Sequence, residues 1–250
     1  MKRENWYIST IDENAQTLAA EHGLGIELAE YCTAWNMDVH FEETDALVRK
    51  KLEGHGAPIF HAPFNELFPC AIDLKVREVA RERYRQAFEV AAGYGVEKIV
   101  IHSGYNPRLY YPIWFTEQTT EFWKDFVREI PEGMTVCMEN VFEEEIDMFL
   151  DILKGVDDPR LKICLDVGHV NAYSETPVEE WIRACAPYLS HFHVHNNDGE
   201  TDFHRELPDG TIAMKELLHL AETVCPDATF TIETTNAADS IEWLIAEGLI

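Results

Sequence analysis

The chain has 250 residues, 46% of them hydrophobic, which suits a sizeable core and is about the usual length of one barrel domain. Its 20 lysines and arginines stand against 46 aspartates and glutamates, a formal net charge of −26 that disfavours nucleic acids and anionic membranes as partners. The N-terminus MKRENWYIST has no apolar signal core and no segment approaches the ~20 apolar residues of a membrane span, so we expect a cytoplasmic protein.

Eight short strand patterns alternate with helical patterns in chain order. The strands are predicted at Trp6–Ser9, Gly25–Leu28, Pro58–His61, Lys98–His102, Thr135–Glu139, Leu161–Asp166, His191–His195 and Thr229–Glu233. Apolar residues with helical period predict helices at Val76–Ala92, Thr119–Ile130, Glu143–Leu153, Val178–Ala186, Met214–Val224 and Ser240–Ala246. This alternation over the whole length favours a parallel α/β fold.

The number of strand–helix units decides between two parallel folds. Eight units predict an α/β fold of the (β/α)8 class, a TIM barrel that spans residues 1–250 as a single domain. An open doubly wound sheet is the alternative. Such sheets usually carry a glycine-rich turn after the first strand, and the corresponding segment STIDENAQ has no glycine.

The alternation of side chains along the strands also supports a closed barrel. The strand faces that end in acidic residues are narrow, because Cys137 lies beneath Glu139 and Cys164 beneath Asp166. The opposite faces are bulky and apolar, as expected where helices pack outside a barrel. The six cysteines match no CxxC spacing, and we expect them to be buried free thiols.

Six predicted strands end in, or close to, a side chain that can bind a metal. These side chains are His61, His102, Glu139, Asp166, His193 and Glu233. In a barrel, the C-terminal ends of all the strands meet at one rim. Carboxylate oxygens and imidazole nitrogens are the ligands that Lewis-acidic divalent metals use. The sequence therefore predicts a metal site at the mouth of the barrel.

The last four of these side chains end consecutive strands and can converge on one ion. Carboxylates brought that close repel one another unless a cation lies between them, which favours a metal over an empty site. His191 and His195 share the strand face of His193, and we expect His191 to lie deeper in the barrel and His195 beyond its end. Further candidates at the rim bring the number of ligand groups to nine, enough for two or three ions: His61, His102, His169, Asp202 and His204.

Several segments carry a family resemblance in addition to these residues. In chain order they are GIELAEYC, HAPFNEL, IVIHSGY, MENVF, LDVGH, HFHVHNNDG, DFHRELPDGTI and TIET. Together they resemble the xylose isomerase-like barrel superfamily, which includes sugar isomerases, ketose epimerases and the endonuclease IV group. The combination of LDVGH with HxH and DxH is fairly specific for the superfamily and much less specific for a reaction.

The resemblance implies two ligand sets. In the ketose epimerases, one metal is held by residues that match Glu139, Asp166, His193 and Glu233, the two glutamates act as acid and base, and the residue matching His169 contacts substrate. In endonuclease IV, residues matching all nine groups bind three zinc ions. The chain departs from many relatives after DFH, where Pro208-Asp209-Gly210 stands in place of GEG.

We favour a metal-dependent isomerase or epimerase that takes a proton next to the carbonyl of a sugar or polyol, with Glu139 and Glu233 as base and acid. An endonuclease IV-like phosphodiesterase acting on abasic-site DNA is the alternative, and a non-catalytic metal-binding barrel is a second one. The predicted rim loops contain only Arg108 and Arg205 as basic residues besides histidines, whereas a DNA-binding rim needs several. The expected cofactor is one to three ions of Mn, Mg or Zn.

Four residues are predicted to bind the substrate: Glu27, His169, Arg205 and Trp114. Glu27 is expected to face the mouth, where it either binds substrate hydroxyls or pairs with Arg205. The aromatic loop Tyr105–Trp114 suits the faces of sugars, and it equally suits a flipped nucleotide or the contact of a homo-oligomer.

Overall fold

A computed structural model of the chain describes residues 1–250 and contains eight parallel strands that close into a barrel in chain order. Every strand pairs in parallel with the next one, and β8 pairs with β1. The (β/α)8 barrel predicted from the sequence is therefore confirmed. The strands are β1 Trp6–Ser9, β2 Gly25–Leu28, β3 Ile59–His61, β4 Lys98–His102, β5 Thr135–Glu139, β6 Leu161–Asp166, β7 Leu189–Val194 and β8 Thr229–Ile232.

Nine α-helices and three short 3-10 helices connect the strands. The α-helices are α1 Ala15–His22, α2 Phe41–Lys51, α3 Leu74–Ala92, α4 Pro112–Phe126, α5 Ile146–Val156, α6 Val167–Tyr173, α7 Val178–Cys185, α8 Met214–Val224 and α9 Ala237–Ala246. The 3-10 helices are Arg3–Asn5, Ala34–Met37 and Val127–Glu129. None of the helices combines the length and the apolar character that a crossing of the bilayer requires.

The predicted strands agree with the observed ones within two residues at each end, and the six predicted helices all exist. The largest difference is in α4, which begins at Pro112, seven residues before the predicted start. Pro112 suits the first turn of a helix, where the missing N–H leaves no bond unmade. The sequence reasoning missed α1, α2 and α6.

The core is divided between the outside and the inside of the barrel. A cluster of 62 buried hydrophobic residues fills the space between the strands and the helices. A separate cluster inside the barrel contains only Ile59, Val100, Cys137 and Cys164. The predicted inward direction of the two cysteines is therefore confirmed. All six cysteines are free and five are buried as expected, but Cys32 is partly exposed.

The strand register brings the ends of neighbouring strands to one level. His102 stands beside Glu139 across β4 and β5, and Asp166 stands beside His193 across β6 and β7. Because inward side chains at one level of a barrel point to its axis, residues far apart in the chain meet at the C-terminal rim.

Candidate metal centre

The central group of the rim consists of Glu139, Asp166, His193 and Glu233, and one ligand atom from each lies within 4.8 Å of the others. The Nδ1 atom of His193 lies 3.0 Å from Oε2 of Glu233, 3.4 Å from Oε1 of Glu139 and 3.9 Å from Oδ2 of Asp166. We call these four residues the central cluster. Three carboxylates and an imidazole form the oxygen and nitrogen ligand set that a divalent metal uses.

A second group uses the other oxygen of the same glutamate. The Oε2 atom of Glu139 lies 3.3 Å from Nε2 of His61 and 3.3 Å from Nε2 of His102. We call His61, His102 and Glu139 the histidine-pair cluster. Because Oε1 faces the central cluster and Oε2 faces the two histidines, Glu139 can bridge two ions.

A third group lies beyond the ends of β6 and β7, with His169 in α6 and with Asp202 and His204 in the loop after β7. The Oδ2 atom of Asp202 lies 3.2 Å from Nε2 of His169 and 3.1 Å from Nε2 of His204. We call these three residues the loop cluster. The structure thus brings together all nine residues that the sequence suggested as metal ligands.

Each of these histidines, apart from His102, has one ring nitrogen fixed by an acceptor outside the cluster. The Nδ1 atoms of His61, His169 and His204 donate to the carbonyl oxygens of Ala62, Asn140 and Glu233 at 2.8–2.9 Å. When these rings are neutral, their Nε2 lone pairs face the clusters. His193 has the reverse orientation, because its Nε2 donates to Glu27 at 2.9 Å. A fixed tautomer of this kind is typical of histidines that bind metals.

The backbone around Asp166 is held by a side-chain clamp. The amide of Asn140 accepts from the Asp166 N–H at 2.9 Å and donates to the Asp166 carbonyl at 3.1 Å. Asp166 also caps α6, since its Oδ1 accepts from the N–H of His169 at 2.7 Å. This cap explains the spacing in DVGH, because an N-cap aspartate accepts a hydrogen bond from the backbone N–H three positions later, here that of His169.

The loop that carries Asp202 and His204 is anchored to the end of β7. Asn196 and Arg205 form an antiparallel bridge with two backbone hydrogen bonds of 2.9 Å. His204 has a positive φ of 46°, which is uncommon for a residue with a side chain. The bridge and the bond from His204 to the Glu233 carbonyl hold that conformation.

Buried carboxylates and histidines in the clusters stabilise each other's charged forms. Burial raises the pKa of Glu139, but His102 and His193 outweigh it and lower the pKa well below its usual range. Burial lowers the pKa of His204, but the Asp202 carboxylate outweighs it and raises the pKa to about 9. Without a bound cation, the raised pKa of His204 favours its protonated form, which offsets part of the negative charge of the carboxylates.

Several atoms of the clusters lack the hydrogen bonds that buried polar atoms normally make. Half of the eight buried side-chain atoms without a partner belong to this region: Glu139 Oε2, His193 Nδ1, His195 Nδ1 and Asp202 Oδ1. Leaving such an atom unpaired costs about 1–3 kcal/mol. Two of them, Glu139 Oε2 and His193 Nδ1, point into clusters of ligand-type groups. The residues present therefore fit bound divalent cations.

The clusters open into a cavity of about 580 Å³. No lysine or arginine lines this cavity, whereas Glu139, Asp202 and Glu233 do. Its apolar walls include the rings of Phe64 and Phe203. The remaining lining residues are Ile11, Ala29, Cys32, His61, His102, His169, His204 and Thr235.

The structure places three of the four residues predicted to bind substrate away from this cavity. The expectation that Glu27 faces the mouth is wrong, because Glu27 is fully buried inside the barrel and its carboxylate accepts bonds from His191 and His193. Glu27 also does not pair with Arg205, whose guanidinium lies 3.6 Å from Asp198. Trp114 donates its Nε1–H to the Cys70 carbonyl at 2.8 Å. Only His169 of the four lines the cavity.

His195 is the site residue that the sequence reasoning missed. We expected it beyond the end of the barrel, yet it is fully buried, and its Nε2 lies 3.1 Å from Oδ1 of Asp166 and 3.5 Å from Oδ1 of Asp202. It therefore connects the central cluster with the loop cluster. Its strand parity, shared with His193, was the available signal. His191 lies deeper in the barrel, as expected, and bonds to Thr229.

The fold and the rim define a (β/α)8 barrel with ligand-type clusters at the C-terminal ends of its strands. The family model described as xylose isomerase-like TIM barrel matches residues 17–247, and the chain belongs to this family.

Two solved structures show the same fold. A D-tagatose 3-epimerase-like protein is 24% identical, with 98% of this chain and 97% of that chain covered and a TM-score of 0.79. The TTHB071 protein from Thermus thermophilus, soaked with ZnCl2, is 24% identical, with 97% of each chain covered and a TM-score of 0.80.

Among curated relatives, the probable endonuclease 4 of Ureaplasma parvum serovar 3 is 25% identical over 199 residues, which is 72% of this chain and 65% of the relative. The chain spans between 51% and 66% of the length of the curated relatives that it matches.

Proposed function

We propose that this protein is a metal-dependent isomerase or epimerase that acts on a neutral sugar or polyol. The observation that carries the proposal is the central cluster, in which Glu139 at the end of β5 and Glu233 directly after β8 converge on Nδ1 of His193. A substrate bound there would meet both carboxylates. The likeness to a D-tagatose 3-epimerase-like structure agrees with such a reaction.

The two glutamates would move the proton. One carboxylate accepts the proton from the carbon next to the carbonyl, and the other returns a proton to the planar intermediate. A proton returned to the opposite face inverts that carbon, and a proton returned to the neighbouring carbon moves the carbonyl. A bound divalent ion would polarise the carbonyl and so lower the barrier to this proton transfer. Each correctly placed carboxylate contributes a factor of ~10²–10⁴ to the rate.

The cavity wall favours a neutral substrate. Phosphate groups are usually bound by arginine, lysine or glycine-rich loops, and no lysine or arginine lines the cavity. The rings of Phe64 and Phe203 offer apolar faces to the C–H groups of a sugar. Because carboxylates surround the cavity and no basic side chain lines it, an anionic substrate that is not bound to a metal ion would be repelled.

Solvent exchange tests the proposal without knowledge of the product. The protein, loaded with Mn²⁺, Mg²⁺ or Zn²⁺, is incubated in D2O with a panel of ketoses, aldoses and inososes, and deuterium next to the carbonyl is followed by NMR. We expect incorporation with at least one compound and a loss of ~10²–10⁴-fold in Glu233→Gln. The matched control is Glu242→Gln, which changes an exposed glutamate on α9. Absence of exchange with every compound and metal would contradict the proposal.

Hydrolysis of a phosphodiester is a second candidate, because the nine ligand-type residues fall into three clusters linked by Glu139 and His195. Several ions so placed could generate hydroxide and hold a phosphate between them. A curated relative is a probable endonuclease 4. Incision of an abasic-site duplex by nanomolar zinc-loaded protein, abolished in Glu233→Gln, would establish this activity in place of the first. The acidic surface makes such incision the less expected result.

A further inference from the structure

A charged side chain lies inside the barrel below the metal centre. Barrel interiors are normally filled by layers of bulky apolar side chains. Here the carboxylate of Glu27 is fully buried on β2 and does not line the cavity. It accepts hydrogen bonds from Nε2 of His193 at 2.9 Å, from Nε2 of His191 at 3.0 Å and from the hydroxyl of Thr231. Burial of a charge is costly unless such partners stabilise it.

The bond to His193 determines which nitrogen of that ring faces the metal centre. A carboxylate can only accept hydrogen bonds, so the proton of the neutral ring must lie on Nε2. The lone pair is then on Nδ1, the atom that points to Glu139 and Glu233 and lacks a hydrogen-bond partner. His61, His169 and His204 are oriented by neutral carbonyl groups instead. His193 is therefore the cluster histidine whose outer partner carries a negative charge.

A chain of hydrogen bonds holds Glu27 in this position from below. His191 bonds to Glu27 through Nε2 and to the Thr229 hydroxyl through Nδ1, at 2.7 Å. Lys98 donates to the same hydroxyl at 2.7 Å. Because His191, His193 and Thr231 all bond to the Glu27 carboxylate, it cannot turn away from His193 without breaking these bonds.

We infer that Glu27 is a positioning residue for the metal centre, which commits Nδ1 of His193 to an ion and strengthens its binding in the central cluster. The inference rests on the metal centre of the proposed function and does not depend on the reaction. Outer partners of metal-binding histidines contribute a factor of about 10–100 to metal affinity.

Zinc titration against a competing chelator tests this role with two variants and a control. Glu27→Gln keeps the shape but removes the charge and allows either tautomer, so we expect zinc affinity to fall about 10–100-fold. Thr231→Val removes one hydrogen bond to Glu27 with little change of shape, so we expect a smaller fall in the same direction. The control, Glu97→Gln, removes an exposed charge outside the metal centre and should bind like the wild type. Circular dichroism checks that each variant folds.

The position of the His193 proton gives a readout that a merely structural role would not move. In zinc-loaded protein with ¹⁵N-labelled histidine, we expect a downfield Nε2–H resonance of His193 that exchanges slowly with water and is shifted or lost in Glu27→Gln. Wild-type affinity and an unchanged resonance in that variant, or an Nε2-bound ion, would overturn the inference. If the wild type binds no divalent ion, the inference and the proposed function both fail. If zinc binding depends on Glu27 but no sugar is turned over, only the proposed function fails.

Discussion

The substitution Gly168→Ala tests how firmly the groups above β6 are packed. Gly168 lies in α6, and a β-carbon placed on it would be 1.9 Å from Cε1 of His195 and 2.5 Å from both nitrogens of that ring. The ring cannot simply move away, because it stacks on His204 with the ring centres 4.0 Å apart. Its Nε2 is also held 3.1 Å from Oδ1 of Asp166.

The expected loss of stability follows from three contributions. Forcing a methyl group into a packed site costs about 1–3 kcal/mol. Loss of the hydrogen bond between His195 and the Asp166 carboxylate costs about 1.5–3 kcal/mol. The better helix propensity of alanine returns about 1 kcal/mol. The free energy of unfolding should therefore fall by about 1.5–5 kcal/mol, which corresponds to a decrease in Tm of roughly 3–20 °C in a protein of this size.

Urea denaturation of the metal-free protein measures this loss. The matched control is Gly56→Ala, because no heavy atom lies within 4 Å of the β-carbon that it would introduce. That variant should stay within about 0.5 kcal/mol of the wild type or gain slightly. A loss below about 1 kcal/mol in Gly168→Ala would refute the reasoning, since it would mean that His195 can leave its place freely.

Three further results are expected. Zinc at about 100 times its Kd should stabilise the protein by about 2.7 kcal/mol, measured by calorimetry. A chelator should reverse this gain, and an unchanged Tm would argue against specific binding. The metal affinity of the loop cluster should rise from pH 7 towards pH 9 and then level off. The reason is that the pKa of His204 is raised to about 9 and its proton must leave before an ion binds. Metal titrations at fixed pH values check this direction, and an affinity that falls with pH would contradict it. Asn140→Ala removes both clamp bonds to Asp166 and should weaken zinc binding at the central cluster in a competition titration, while equal affinity would show that the clamp is dispensable.

The barrel and most of the metal centre could be predicted because they depend on local patterns. Side chains alternate along each strand, and parallel strands end at one rim, so the last inward residue of a strand points to the mouth. Glu139 and Asp166 are the last residues of β5 and β6, and this rule places them correctly. The three clusters follow once the register of neighbouring strands is known.

Glu27 and His195 could not be placed because their depth depends on where strands end and how loops turn. Glu27 lies one residue before the end of β2 and is level with Ile59 of β3, so it falls below the rim. β7 ends at Val194, and the following loop packs His195 between the backbone of Gly168 and the ring of His204. Neither feature leaves a periodic signal in the sequence.

The missed helices lack the apolar stripe on which helix prediction depends. α1 buries only Ala15 and Ala19, and α2 buries only Thr44 and Val48, so neither presents a row of large apolar residues. α6 has seven residues and buries its first four in succession. Its beginning is set by the Asp166 cap, a single hydrogen bond rather than a repeated pattern.

Anomalous scattering from crystals grown with zinc or manganese tests most directly whether the carboxylates and imidazoles of the rim form a metal centre. We expect a peak at the central cluster, at bonding distances of ~2.0–2.2 Å from Glu139, Asp166, Nδ1 of His193 and Glu233. Further peaks at the other two clusters would indicate two or three ions. A map without a peak at the central cluster, with these side chains paired only to one another in metal-replete crystals, would contradict the account.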